Sequence, residues 1–279
     1  MSNLLIHSMS EFSDVILDCL DIAEAARIAE IGAEFGGMSQ RLAAFAGQYG
    51  GSLTSIDPAP KPEFLEWVRD CEHVEHVPLR SLEAIDGLSG IQAWVIDGDH
   101  NYYTVYHELK AIDAVCRRDG KPLLAFLHDV SWPCGRRDFY YAPEQIPAEW
   151  RHAYDYDAGV HIDTTEMLPG RGFRGGGNFA FATHIGGPRN GVLTAIEDAI
   201  EEMQASGRNL AWAHVPAVFG LGILFEADAA WSAEVAARVA PLHNNRLLQS
   251  MEENRLRNYL KVIEYQDALA AAGVTGFVA

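Results

Sequence analysis

Basic residues are scarce in this chain of 279 residues: 21 Lys and Arg stand against 39 Asp and Glu, a formal net charge of −18. Such a surface repels phosphate backbones, which removes nucleic acid from the expected partners and argues equally against an anionic membrane. No apolar run approaches the roughly 18–20 residues that cross a bilayer, and the leading "MSNLLIHSMSEFSD" has no basic stretch of the secretory kind. A cytoplasmic protein is expected. Only four cysteines occur (Cys19, Cys71, Cys116 and Cys134), with no CxxC pair, which fits reduced thiols better than a disulfide frame or a zinc knuckle. Also missing is the G-x-G-x-x-G turn of dinucleotide-binding folds.

What is present is ordinary packed-protein material, 48% hydrophobic and 22% charged, long enough for one large domain plus an extension or for two small domains. "EFSDVILDCLDIAEA" (11–25) spaces Phe12, Val15, Ile16, Leu20 and Ile22 as a leading helix. Short apolar runs then alternate with helical patterns: "RIAEIG", "GSLTSID", "VEHVPL", "IQAWVID" and "PLLAFLHD" read as strands. Between them, "MSQRLAAFAGQY", "KPEFLEWVRDC" and "TVYHELKAIDAVCRR" read as helices. The alternation predicts an α/β, doubly wound, mostly parallel sheet covered on both faces. Residues 131–190 break the rhythm with a loop-rich stretch of the kind that serves as a lid or binding surface. "GVLTAIEDAIEEMQ" is a further helix, "LAWAHVPA" and "GLGILFE" form an antiparallel hairpin closing the sheet, and the remainder is helical. The expected organisation is an N-terminal helix (1–25), a body (26–226) and a helical extension (227–279) suited to self-association.

Two features mark the first half of the body. "AEIGAEFGG" places Glu30, Gly32 and Gly36 between the first strand and its helix, where glycines allow a tight turn and close approach to a ligand. Glu34 in that turn disfavours a pyrophosphate and suits a positive sulfonium. Asp57, ending the second strand, is placed to accept ribose hydroxyls. In this order the elements resemble class I S-adenosylmethionine-dependent methyltransferases over residues 26–226. The resemblance implies a seven-stranded Rossmann-like sheet and a cofactor held by Glu30, Gly32, Gly36 and Asp57. It further implies Ser81 of "PLRSL" at the adenine and Asp97 facing the reaction centre.

Asp97 and His100 end the fourth strand, in "VIDGDHNYY", and His128 and Asp129 end the fifth, in "AFLHDV". Ligands in open α/β sheets bind beyond the carboxyl ends of the strands, so neighbouring fourth and fifth strands would bring these four side chains together. Hard oxygen ligands suit magnesium or calcium, and a nitrogen ligand shifts preference toward manganese, iron or zinc. "DGDHNYY" with a later acid is similar to the metal-dependent macrocin and mycinamicin sugar O-methyltransferases and the cephalosporin-hydroxylase-like group. That similarity implies metal ligands at Asp97 and Asp129 and a general base at His100; His128 stands where those enzymes commonly carry Glu. His128 is retained as a third metal candidate.

Trp132, Tyr140 and Tyr141 offer flat faces for an acceptor, Arg136 and Arg137 could hold a carboxylate or phosphate, and Tyr102 and Asn178 complete the substrate candidates. The expected activity is metal-assisted O-methylation of a small hydroxylated metabolite, a sugar or specialised-metabolite intermediate. Two alternatives stand beside it. One is an oxygenase or hydrolase on the same fold, built on His100, His128 and Asp129 around iron; the other is a non-catalytic cofactor-binding partner.

Overall fold

The computed structural model describes residues 5–272, so the outermost parts of the expected 1–25 and 227–279 segments lie outside the described residues. The central sheet contains β1 (Arg27–Ile31), β2 (Ser52–Ile56), β3 (Val74–Val77), β4 (Ala93–Ile96), β5 (Leu124–Leu127), β6 (Leu210–Val215) and β7 (Leu221–Glu226). Their order across the sheet is β6-β7-β5-β4-β1-β2-β3. Strands β1 to β5 pair in parallel, while β7 runs antiparallel to both β5 and β6. Every residue of β4 and β5 is buried, as expected of central strands covered on both faces. This is the doubly wound α/β sheet expected from the sequence, with its antiparallel closing hairpin.

The helices are α1 (Ser13–Ile22), α2 (Gly37–Gln48), α3 (Pro62–Val68), α4 (Ser81–Ala84), α5 (Tyr102–Asp119), α6 (Val192–Ala205), α7 (Ser232–Val239) and α8 (Arg246–Ala271). One core packs the apolar faces of α5 and α6 against Trp94, Ala125 and Leu127. A second packs α1, α2 and α7 against Ile28, Val95 and Phe126 on the opposite face. Helix α5 starts where Asn101 accepts a hydrogen bond from Thr104 N (2.9 Å) and stops at Gly120, whose φ of 60° suits a left-handed cap.

Register decides where chemistry can occur. Ile31 pairs with Ile56 and Ile96, and Ile96 pairs with Leu127, so four strands end level. The next residues along the chain, Gly32, Asp57, Asp97 and His128, therefore emerge along one edge of the sheet.

The 131–190 stretch has more regular structure than its composition suggested. Phe139–Tyr140, Ala180–Ala182 and Tyr154–Asp155 form a three-stranded antiparallel sheet, and Ala158–His161 pairs with Thr164–Pro169. Most of these strands are too short for an alternating pattern to be read from sequence. No helix among the described residues is long and apolar enough to cross a membrane.

Candidate functional site

The turn after β1 fits its place only because it contains glycine. Gly32 has φ +89°, and a Cβ there would lie 2.2 Å from the Asp97 carbonyl oxygen, so the turn rests directly on the end of β4. Ala33 N and Glu34 N donate to Asp57 Oδ2 (2.9 and 3.1 Å), and Ala59 N donates to Oδ1 (2.8 Å). A carboxylate offers about four lone-pair sites, so Asp57 retains room for one hydroxyl donor beside the turn it holds. Gly36, at φ +82°, opens α2 without a side-chain cap, leaving first-turn N–H groups free to donate.

Glu30 departs from its expected role. It is 1% exposed, and Ser39 and Ser55 hydroxyls both donate to its Oε2 at 2.6 Å. Burial lifts its pKa to about 7 despite these two bonds. The side chain ties β1, β2 and α2 together beneath the turn instead of facing a ligand. Ser81 is also buried, at the start of α4, close to the carboxyl of Glu108 on α5.

The ends of β4 and β5 bring together Asp97, His100 and Asp129, whose ligand-type atoms lie within 4.8 Å of one another. His100 Nδ1 lies 3.2 Å from Asp129 Oδ2, and the imidazole packs edge-on to Phe139 with Tyr141 nearby (centroids 5.5 and 6.0 Å). A proton on Nδ1, which faces Asp129, leaves Nε2 as the acceptor. Asp99 is turned away: it accepts from His100 N, Asn101 Nδ2 and Thr104 Oγ1, fixing the start of α5.

His128 corrects the metal assignment. Its Nε2–H donates to the Val218 carbonyl (2.9 Å), and its Nδ1 faces Asp97 Oδ1 at 3.0 Å and Asp129 Oδ2 at 3.7 Å. With both nitrogens engaged, neither lone pair is available to a metal. Burial alone would depress the pKa of this imidazole, but the charges of Asp97 and Asp129 outweigh it and raise the pKa to about 9. His128 is thus a cation bridging two carboxylates. The same geometry removes the iron centre built on His100, His128 and Asp129, which needs two histidine ligands.

Val218 and Phe219, the residues that present this carbonyl, both have positive φ (45° and 63°). Such backbone is costly for bulky residues and persists only where its surroundings hold it. Phe219 N donates to the buried Glu252 of α8 (2.9 Å), and Arg255 clasps Glu252 with two bonds of 2.6 Å. The sequence reading missed Val218, Glu252, Phe139 and Asp138. Asp138 accepts from Tyr102 N, Gly191 N and the Tyr140 hydroxyl, joining α5 to the 131–190 segment. Its only signal was an acid buried inside "RRDFYY".

Three of the acceptor candidates are occupied elsewhere. Arg136 pairs with both Glu197 oxygens (2.5 and 2.6 Å), the Tyr102 hydroxyl donates to Asp198 (2.8 Å), and Tyr140 is 1% exposed. These three are structural, because their polar ends are already satisfied by protein. Asn178 is exposed in the glycine turn, with no side-chain hydrogen bond among the described residues. Trp132 and Arg137 do line an open groove of about 450 Å³.

Residues 29–130 match the family model described as a methyltransferase domain. No curated protein matches the chain. Among solved structures it is similar to the SAH-bound methyltransferase PaMTH1 of Podospora anserina: 11% identity, 77% of this chain and 78% of that one covered, TM-score 0.46. It is similar also to a Staphylococcus aureus protein provisionally named a caffeoyl-CoA O-methyltransferase (12% identity, 80% and 87% covered, TM-score 0.45). Cofactor-bound Rv0187 from MTB is a third likeness (14% identity, 79% and 81% covered, TM-score 0.45).

Proposed function

We propose that this chain moves a methyl group from S-adenosylmethionine to a hydroxyl oxygen of a small metabolite, a sugar or specialised-metabolite intermediate, assisted by a divalent cation. The observation carrying this reading is the convergence of Asp97, His100 and Asp129 at the level ends of β4 and β5, beside the glycine turn. In this reading residues 26–226 are the cofactor-binding body, 131–190 its acceptor side, and 227–279 an extension that braces the site through Glu252.

The residues fit both groups. Gly32 and Gly36 let the backbone approach a ligand, and Asp57 keeps lone-pair capacity for a ribose hydroxyl. S-adenosylmethionine supplies the methyl carbon, which undergoes in-line displacement. Asp97 and Asp129 offer hard oxygens suited to magnesium or manganese. A divalent ion there would lower the pKa of an acceptor hydroxyl. His100 takes the acceptor proton on Nε2, while Asp129 orients its ring and stabilises the resulting imidazolium. His128 offsets one of the two carboxylate charges, which limits how strongly the pair attracts a cation.

The test is transfer of labelled methyl from S-adenosylmethionine to a panel of hydroxylated sugars and phenols, with magnesium, manganese or a chelator. Label should appear as an O-methyl ether, vanish with chelator, and vanish in His100→Ala while S-adenosylhomocysteine still binds. Label on nitrogen or carbon would refute oxygen transfer, and chelator-insensitive turnover would refute the cation.

A further inference from the structure

Arg137 is 2% exposed, yet no carboxylate holds it. Its Nη1 donates to the Ala182 carbonyl (2.6 Å) and the Met167 sulfur (3.0 Å), and its Nη2 donates to the Thr165 carbonyl (2.7 Å). All three acceptors are neutral. A guanidinium has five N–H donors, so Nε–H and one Nη2–H remain without a protein partner among the described residues. The contrast within the chain is sharp. Arg136, next along, is held by both oxygens of Glu197, and Arg208, whose side chain is 8% exposed, is held by Asp113 and Glu226. Burying a cation without its counter-charge costs several kcal/mol, so the arrangement is incomplete as it stands.

The place where the charge is incomplete is a wall of the groove. The groove measures about 450 Å³, within the range of small-molecule sites, and Trp132, Pro133, Val160, Ile162 and Ile185 give it apolar walls. Asp163, also on the groove, is paired with Arg257 at 2.8 Å and so does not satisfy Arg137. The acidic surface repels anions at long range, but at physiological ionic strength this is screened within about 8 Å. The Glu166 carboxylate acts on Arg137 through space but forms no ion pair with it.

We propose that this groove is an anion-recognition site, in which Arg137 binds a carboxylate or phosphate group of the acceptor molecule while the apolar walls hold an adjoining ring. The proposal rests on the methyltransferase reading for the identity of the ligand as acceptor. It does not need that reading for the anion site itself. Arginine suits the task because its planar fork matches a carboxylate or phosphate with two parallel bonds. The carbonyls of Ala182 and Thr165 hold the fork in place before a ligand arrives.

The probes are benzoate, phenyl phosphate and neutral benzamide, titrated into the full chain at physiological ionic strength. Calorimetry gives the affinity, and the Arg137 Nε–H resonance reports the contact. At least one of the two anions should bind ten times or more tighter than benzamide and shift that resonance, and whichever binds tighter identifies the group. Arg137→Gln should remove the preference. Ile185→Glu, at a position 40% exposed, leaves the contacts of Arg137 in place and sets a carboxylate on the groove wall, so it too should remove the preference. Equal binding of all three probes, binding of none, or a preference surviving both substitutions would overturn the site. S-adenosylhomocysteine is titrated in parallel: its failure to bind with the anion preference intact would sink the methyltransferase reading alone.

Discussion

Replacing Glu108 with glutamine should stabilise the protein, and the gain should grow with pH. Glu108 is fully buried on α5, and neither of its carboxyl oxygens has a hydrogen-bond partner of proper geometry. Burial raises its pKa from 4.5 to about 8; the nearby Ser81 hydroxyl favours the anion slightly, and the charge of Asp99 opposes it. The folded protein therefore keeps this proton at neutral pH while the unfolded chain releases it. Between the two pKa values the folded state binds more protons, so stability falls as pH rises from about 4.5 through about 8. At pH 7 the penalty amounts to about 3 kcal/mol as an upper bound, taking 1.36 kcal/mol for each unit between 4.5 and 7. Urea unfolding of wild type and Glu108→Gln across the pH range reads this from the shift in midpoint. The difference should be small near pH 4.5, about 3 kcal/mol at pH 7, and level above pH 8. A difference that is constant with pH, or that shrinks as pH rises, would refute the reasoning.

His128 should act in the same sense but over a higher window, because here too the folded state holds the proton more tightly. Its pKa is raised from 6.5 to about 9, so its ion pairs stabilise fully below 6.5, and up to about 3 kcal/mol is lost as pH climbs through 9. His128→Gln should show no such loss in thermal melts across that window. Gly32→Ala should cost about 1–3 kcal/mol from backbone conformation alone. Because its Cβ would fall 2.2 Å from the Asp97 carbonyl, calorimetry should also show S-adenosylhomocysteine affinity reduced. Asp129→Asn should lower turnover by two orders of magnitude or more, with cofactor affinity held, by misorienting His100; stopped-time assays at saturating cofactor check this. A Glu252→Ala variant should lower turnover together with thermal stability, since it releases the 218–219 backbone that fixes His128.

The parts of this protein legible in its sequence are those governed by local pattern. Fully apolar runs such as "AWVI" and "LAFL" announce central strands, and the acids that follow them mark where those strands reach a ligand edge. Gly32 could be read as a turn residue because its position between strand and helix admits few others. The misreadings share one cause: partners distant in sequence. Nothing near His128 indicates that the Val218 carbonyl, 90 residues on, occupies one of its nitrogens. Nothing near Arg136 or Tyr102 indicates Glu197 or Asp198 on α6, which turn both side chains into clamps between elements. Glu30 looked like a ligand because acids at strand ends usually meet solvent; two serines, one on β2 and one on α2, make it a buried brace instead. Arg136 and Arg137 looked alike in the sequence, and nothing near them indicated that Arg136 is held by an acid while Arg137 is held by neutral acceptors.

The central claim is a live cofactor site with a cation pair beside it. Its most direct test is calorimetric titration of metal-stripped protein with S-adenosylhomocysteine, repeated after magnesium or manganese is added. The account predicts binding of about one per chain, then a further heat on adding metal that disappears in a variant lacking both Asp97 and Asp129. Absence of S-adenosylhomocysteine binding under every condition would contradict it.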